Sequence, residues 1–262
     1  IVAGSTPATY TATYTATGPS GLVGAWAFDE PSGTTAVDSS GTGNAGTLSG
    51  PTRAPTGRYG GALSFDGVND WVTVADANSL DVTRSTISAW VQPAALGTAW
   101  RTVGFKEQTG GMVYSLYANQ DTSRPVGQVN IGGEVNAVGA STLPLNTWTY
   151  LASTYDGTAV RLYVNGSLVT TTAVTGSLPA STGPFRIGGN SIWGEYFDGL
   201  IDEVRIYNRA LSAGEIQTDM NSSISSPDAV PPSAPGTLSA TGGLGQIGLG
   251  QAGREKILSR GL

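Results

Sequence analysis

The sequence contains no cysteine and no histidine. Without cysteine there is no disulfide framework and no thiolate metal site. Without histidine the commonest general base, the imidazole of a Ser-His-Asp triad and the imidazole metal ligands are all missing. Zinc therefore lacks both of its favoured donors. Charge is also scarce. Charged residues make up 12% of the 262 residues, with 13 basic against 19 acidic side chains and a formal net charge of −6. A mildly acidic chain with no basic stripe argues against nucleic acid and against anionic membrane surfaces as partners. No apolar run approaches the roughly 20 residues of a membrane-crossing helix, so no membrane insertion is expected. The chain opens Ile1-Val2-Ala3, with no Met, basic n-region or cleavage pattern. It reads as a piece of a larger protein.

What is abundant points to a β fold. Glycine occurs 38 times, and Thr, Ser, Val, Tyr and Trp are spread throughout. That is the composition of strands joined by many turns. The length suits one large or two small domains and is enough to bury a sizeable core. Between residues 21 and 222 about a dozen strand-like runs recur, among them ISAWVQP, TWTYLASTYD, AVRLYVNG and GLIDEVRIYN. Clusters of Gly, Pro, Asn and Asp separate them. Short strands at this spacing predict an all-β, two-sheet antiparallel sandwich or jelly roll. Asp66-Gly67, Asp156-Gly157 and Asn165-Gly166 pair an αL-tolerant residue with glycine, as tight hairpins require. One short helix is expected in RALSAGEIQTDMN, where Ser212 and Glu215 have capping-box spacing. Residues 1–20 read as a Thr-rich linker or the last strand of a preceding module. Residues 223–262 read as a Pro/Ser linker, a strand-like start and a charged tail.

Six motifs carry a resemblance. They are AWAFDEPSGTTAVDSSGTGNAGTLSG, GGALSFDGVNDWVTV, ISAWVQP, NTWTYLASTYDGTAVRLYVNG, RIGG and GLIDEVRIYNRALSAGEI, in that order over roughly residues 21–220. Residues 21–222 thus resemble the laminin-G-like, concanavalin A-like jelly-roll domains of large exported bacterial proteins. The resemblance implies two antiparallel sheets packed face to face, with Trp26, Trp90 and Trp148 mostly in the core. Alternation independently supports a core place for Trp90 and Trp148. Tyr150 stands where the family usually has histidine. DAVPPSAPGTLSATGGLGQIGL resembles a fibronectin type III start, truncated before its core tryptophan.

Some relatives of this fold hydrolyse glycans with paired carboxylates. The Glu-x-Asp-x-x-Glu string of the glucanases is absent. Asp202 and Glu203 are adjacent in an expected strand, so they should face opposite ways. No G-x-S-x-G, Walker or dinucleotide-binding glycine loop occurs. The expectation is a chain without catalytic function.

For metal, the loop DSSGTGN offers hard oxygen donors in Asp38 and Asn44. Resemblance to the glucanases adds Asp202 of the last strand, with Asp29 as a further ligand, for a structural calcium pinning the first and last strands. The bland alternative is Asx turns at Asp38 and Asn44 and an Asp202–Arg205 pair.

For ligand binding, jelly-roll lectins stack aromatic faces on sugar rings and fix hydroxyls with planar polar groups. Three segments offer such residues. AWRTVGFKEQ holds Trp100, Arg101, Lys106 and Glu107; YSLYANQDTSRP holds Tyr114, Tyr117, Asn119 and Arg124. GGNSIWGEYFDG holds Asn190, Trp193, Glu195 and Tyr196. They are expected to converge on the concave sheet or its rim. The alternative is a structural cluster, with Lys106 merely paired to an acid.

The leading functional expectation is a non-catalytic carbohydrate-binding or adhesion module, secreted or at a bacterial cell surface, with polysaccharide as partner and β modules as neighbours. The alternative is a structural spacer or protein-interaction module. A glycan hydrolase or lyase is the third reading. No sequence feature sets the oligomeric state or names the glycan.

Overall fold

The nine-residue strand Ser85–Pro93, which contains ISAWVQP, is flanked by Thr149–Tyr155 on one side and Asp198–Tyr207 on the other. The structure, a computed structural model, describes residues 19–224. The expectations for the Thr-rich start and the fibronectin-like end fall outside the described residues. Ser167–Ala173, Ala159–Val164, Thr149–Tyr155, Ser85–Pro93, Asp198–Tyr207, Ala62–Asp66 and Thr52–Ala54 follow one another across the first sheet. Leu22–Trp26 also pairs with Asp198–Tyr207. The second sheet runs Glu134–Val138, Val126–Asn130, Gly111–Asn119, Arg101–Gln108, Phe185–Ile187, Trp71–Val74, Gly46–Ser49 and Thr35–Ala36. All pairings are antiparallel, so the all-β two-sheet sandwich is the fold.

Alternation sorts the side chains as a two-sided sheet demands. In Ser85–Pro93, Ile87, Ala89 and Val91 enter the core between the sheets, while Trp90 faces outward. Trp26 stacks on Phe185 across that core, ring centroids 5.7 Å apart and 14° from parallel. Gly127 marks a close approach of the sheets. A Cβ there would lie 2.2 Å from Ser153 Oγ on the facing strand. At one edge, Thr170 and Thr172 donate their hydroxyls to the carbonyls of Val138 and Asn136, at 2.5 and 2.9 Å. Those bonds cover backbone acceptors that would otherwise invite another strand.

The phase of Asp198–Tyr207 breaks once. Asp202 pairs with Trp90 and Arg205 with Ser88, so Glu203 and Val204 together oppose Ala89. This is a β-bulge, and Glu203 adopts φ +54°, the left-handed region a non-glycine residue rarely occupies. The bulge lets Ile201 and Val204 both face the core. The expected strict opposition of Asp202 and Glu203 assumed a regular strand and does not apply.

The outer face of the first sheet carries a second apolar cluster of Trp90, Tyr150, Tyr163, Tyr207, Leu211 and Ile216, with Trp148 packed against it. The helix Ala213–Met220 contributes Ile216 to it. Ser212 caps that helix, and Glu215 closes the expected capping box. Tyr150 is fully buried and donates to Asp219 Oδ2 at 2.6 Å, so its role is structural.

Candidate functional site

The outer face of the second sheet is only partly covered. Phe105, Met112, Tyr117 and Val126 form an apolar patch there. The loop 188–197 crosses it, pinched at its neck by the Gly189–Tyr196 bridge and by Phe197 N donating to the Gly188 carbonyl at 2.8 Å. Asn190 anchors the loop from below. Its amide donates to Thr102 Oγ1 and to Glu195 Oε2, both at 2.9 Å, and its carbonyl oxygen accepts from Trp193 N at 2.8 Å. Tyr117 donates its hydroxyl to the same Glu195 Oε2 at 2.7 Å. Trp193 is held edge-on to Phe105 at 5.5 Å yet stays 46% exposed. Trp100 meets Tyr117 edge-to-face at 5.0 Å.

These groups enclose a cleft of about 270 Å³ lined by Trp100, Trp193, Glu195, Gln128 and Glu134. Gln128 is oriented by a ladder across three strands. It accepts from Ser115 Oγ at 2.9 Å and donates to Asn136 Oδ1 at 2.8 Å. Burial pushes the Glu195 carboxyl above its ordinary range; hydrogen bonds from Tyr117 and Asn190 oppose this, and the charge of Glu134 adds to it. Burial also raises the Tyr117 phenol, with Glu195 next in effect, so it remains a donor. The cleft thus offers two tryptophans and three oriented or accessible polar groups. That is the equipment for a sugar ring with its apolar face and its hydroxyls.

The three expected segments do meet here, but not every expected residue does. Lys106 is fully buried and donates to Asp76 at 2.5 Å and to the Gly183 carbonyl at 2.7 Å, with Asp81 at 3.8 Å. It is a structural ion pair, as the alternative reading had it. Glu107 faces the other way, accepting from Arg186 Nε and from Ser191 N and Oγ, so it fixes the loop 188–197 and does not line the cleft. Arg101 donates to the Tyr196 and Leu96 carbonyls. Tyr196 stacks on Trp71 at 5.8 Å, and Asn119 holds the Gly97 and Ala99 carbonyls. Tyr114 lies inside the core, and Arg124 bonds to Thr122 Oγ1. None of these residues lines the cleft. Gln128 and Glu134 escaped notice in the sequence because QVNIGGEV carries no chemical signature.

The acidic residues proposed for a metal divide into two groups. The Asp38 carboxylate accepts five hydrogen bonds, from Ala25 N, Ser40 N and Oγ, Thr42 Oγ1 and Asn44 N. The Asn44 amide donates to the Val23 carbonyl and Ser79 Oγ. These bonds, with the Thr42 hydroxyl shared with the Val23 carbonyl at 2.7 Å, give Asp38 and Asn44 the structural role in the turn that the bland alternative assigned them.

Asp29 and Asp202 differ. They flank the turn 57–61, whose Gly61 N donates to Asp29 Oδ1 at 2.7 Å and whose Tyr59 N donates to Asp202 Oδ2 at 2.9 Å. A Cβ on Gly60 would lie 2.0 Å from Asp29 Oδ1, and one on Gly57 would lie 2.7 Å from Asp202 Oδ2. Asp202 Oδ1 and Glu203 Oε1 are buried without a hydrogen-bond partner. Arg205 pairs with Glu203 at 2.6 Å and lies 3.6 Å from Asp219; it makes no ion pair with Asp202. Burial, with a small push from the charge of Asp29, raises Asp202 to about 7 and Glu203 to about 8. Orphaned carboxylate oxygens are the donors a hard cation uses. Among the described residues no three Asp, Glu, His or Cys side chains form a metal-sized cage. Asp29, Asp202 and Glu203 do not converge into such a cage, so a calcium at this turn would need backbone carbonyls and water for most of its shell.

A family model described as the concanavalin A-like lectin/glucanases superfamily matches residues 66–217. The chain belongs to that superfamily. Its fold is shared with solved structures of distant sequence. Domain 4 of AbnA, an extracellular arabinanase from Geobacillus stearothermophilus solved with arabinotriose, superposes with a TM-score of 0.66 at 23% identity, covering 76% of this chain and 98% of that one. The binding domain of Paraclostridial Mosquitocidal Protein 1 gives 0.62 at 16%, covering 77% of this chain and 52% of that one. A Trypanosoma rangeli sialidase gives 0.60 at 20%, covering 77% of this chain and 33% of that one. The chain therefore spans about half of the mosquitocidal domain and a third of the sialidase. At these identities the likeness carries the lectin/glucanase fold and nothing more. A search of curated proteins found no sequence match. No helix among the described residues is long and apolar enough to cross a membrane.

Proposed function

We propose that this lectin/glucanase domain is a non-catalytic glycan-binding module of an exported bacterial protein, set among other β modules. The observation that carries the reading is Trp193, 46% exposed on a loop whose every other polar anchor is satisfied. An accessible tryptophan in a cleft beside oriented polar groups is the arrangement a small-ligand site uses. Relatives fit the same reading: the arabinanase domain was solved with arabinotriose. A structural calcium at Asp29, Asp202 and Glu203 belongs to the proposal, as a clamp between the first and last strands.

A glycan-array scan of wild type and Trp193→Ala, with and without EGTA, tests it. Arabino-oligosaccharides belong on the array. Binding by wild type should fall at least about tenfold in the variant, as for loss of a stacking contact worth roughly 1–3 kcal/mol. The melting temperature should move by no more than about 2 °C, because the side chain is half in water. Absence of binding to every glycan by the wild type would return the domain to the spacer reading. Incubation with bound oligosaccharides should release no new reducing ends; release would make the module an enzyme.

A further inference from the structure

The charge of the cleft is one-sided. Its lining includes two carboxylates, Glu134 and Glu195, and no basic side chain. The nearby bases are all engaged elsewhere: Arg101 with the Tyr196 carbonyl, Arg186 with Glu107 and Thr73, Lys106 with Asp76. Among the described residues neither Glu134 nor Glu195 takes part in an ion pair. Glu134 is exposed. Glu195 is more enclosed, and both of its internal bonds end on Oε2, leaving Oε1 without a donor among the described residues. A half-enclosed carboxylate with a like charge nearby and no counter-charge gains more from a cationic ligand than from water. Burial raises the Glu195 carboxyl, and the charge of Glu134 adds a smaller push in the same direction. The walls agree. Trp100 and Trp193 present aromatic rings, which attract cations as well as sugar faces.

We propose that the cleft selects a glycan bearing protonated amino groups, a de-N-acetylated hexosamine oligomer, with the ammonium seated between Glu195 Oε1 and Glu134 and the ring's apolar face on Trp193. This rests on the glycan-binding reading and narrows it. A neutral sugar would leave both carboxylates without a counter-charge. An acidic sugar would be repelled by them. An N-acetylated hexosamine has the ring but not the charge, and its bulkier amide would leave Glu195 Oε1 without a charged donor.

Calorimetric titration in mildly acidic, low-salt buffer decides the matter, with four probes on the whole chain. The probes are a glucosamine hexamer, an N-acetylglucosamine hexamer, arabinotriose and an oligolysine. Wild type should bind the glucosamine hexamer at least about tenfold more tightly than the other three, the gain expected from one charge-assisted hydrogen bond in a partly enclosed site. Glu134→Gln should remove about tenfold of that affinity, leave the melting temperature unchanged and flatten its salt dependence. Trp193→Ala should weaken it as well. Equal or tighter binding of a neutral oligosaccharide, unaffected by Glu134→Gln, overturns the amino-sugar assignment while the glycan reading stands. Equal binding of oligolysine, insensitive to Trp193→Ala, overturns it in favour of simple charge attraction. Failure of every probe and of the glycan array together removes the glycan reading and this inference with it.

Discussion

Replacing Asp219 with Ala is expected to destabilise the domain by about 3–5 kcal/mol, the range for removing one partner of a buried charge pair. Asp219 sits on the helix Ala213–Met220 and is 1% exposed. Its Oδ2 accepts from Ser88 Oγ at 2.7 Å and Tyr150 Oη at 2.6 Å, and its Oδ1 from Tyr207 Oη. Arg205 Nε lies 3.6 Å from the same oxygen, and Arg205 Nη1 donates to the Asp219 carbonyl at 3.3 Å. One carboxylate therefore holds the helix to three strands: Ser85–Pro93, Thr149–Tyr155 and Asp198–Tyr207. Without it three hydroxyls lose their acceptor and Arg205 keeps only Glu203 as an acid partner. Tyr150→Phe should cost less, about 1.5–3 kcal/mol, because one charged hydrogen bond is lost and the carboxylate keeps its other donors. Urea denaturation read by tryptophan fluorescence checks both. If the Ala variant does not accumulate, the Phe variant still reads the network. A cost below about 1 kcal/mol for either buried substitution would mean the helix is held by Ile216 and Leu211 alone.

The metal-free protein should lose stability as pH rises from about 4 toward about 8. Folding lifts Asp202 from 3.8 to about 7 and Glu203 from 4.5 to about 8, chiefly through burial. In that window the folded chain binds more protons than the unfolded chain, so stability falls with rising pH. Glu215 acts in the opposite sense but elsewhere. Arg209 holds it down to about 2, so its contribution is lost only as pH drops below 4.5. Calcium should reverse the alkaline loss. A divalent ion takes over from the protons on Asp202 and Glu203 and stabilises the fold by mass action, about 2.7 kcal/mol at one hundred times its dissociation constant. Thermal melts across this pH range, in EDTA and in calcium, give the measurement. The double variant Asp202→Asn, Glu203→Gln should flatten the metal-free slope and abolish the calcium shift. Gly60→Ala should abolish the calcium shift too, since its methyl would lie 2.0 Å from Asp29 Oδ1 at a φ of +60°. A metal-free stability that rises through neutral pH, with no response to calcium, would dismiss both the raised carboxyls and the cation.

Much of the fold was legible because its causes are local. Alternation marked Trp90 for burial, and it is buried, though on the outer face of the first sheet beside the helix and not between the sheets with Ile87 and Val91. Asn165-Gly166 needed only its own backbone preference to form its turn, with φ of +49° and +74°. Ser212 and Glu215 are three residues apart, so their capping box depends on one turn of helix. Even Trp193 was partly readable. It lies between glycine-rich turns, outside any alternating run, so nothing pulled it into the core.

The site residues were harder, because charge by itself does not say what a side chain meets. Lys106 looked like a binding residue in AWRTVGFKEQ. It is spent on Asp76 and on the Gly183 carbonyl, 30 and 77 residues away in sequence. Glu107, next to it, was placed by a loop that begins some eighty residues later. Gln128 and Glu134 reach the cleft only because the register Gln128–Ser115 and Glu134–Asn130 carries them beside the strand of Tyr117. Asp219 reads as an ordinary solvent-facing acid of an amphipathic helix until that helix docks on Tyr150 and Tyr207. Asp202 and Glu203 meet the turn 57–61 only through a bulge, whose left-handed Glu203 no residue type announces. The sequence by itself determined what short-range forces decide: the strands, their buried faces, the turns, the cap and membership of the lectin/glucanase superfamily. Only the tertiary structure decided which polar groups are satisfied internally and which stay open to solvent, because hydrogen-bond partners here are chosen by packing between distant segments and not by neighbours along the chain.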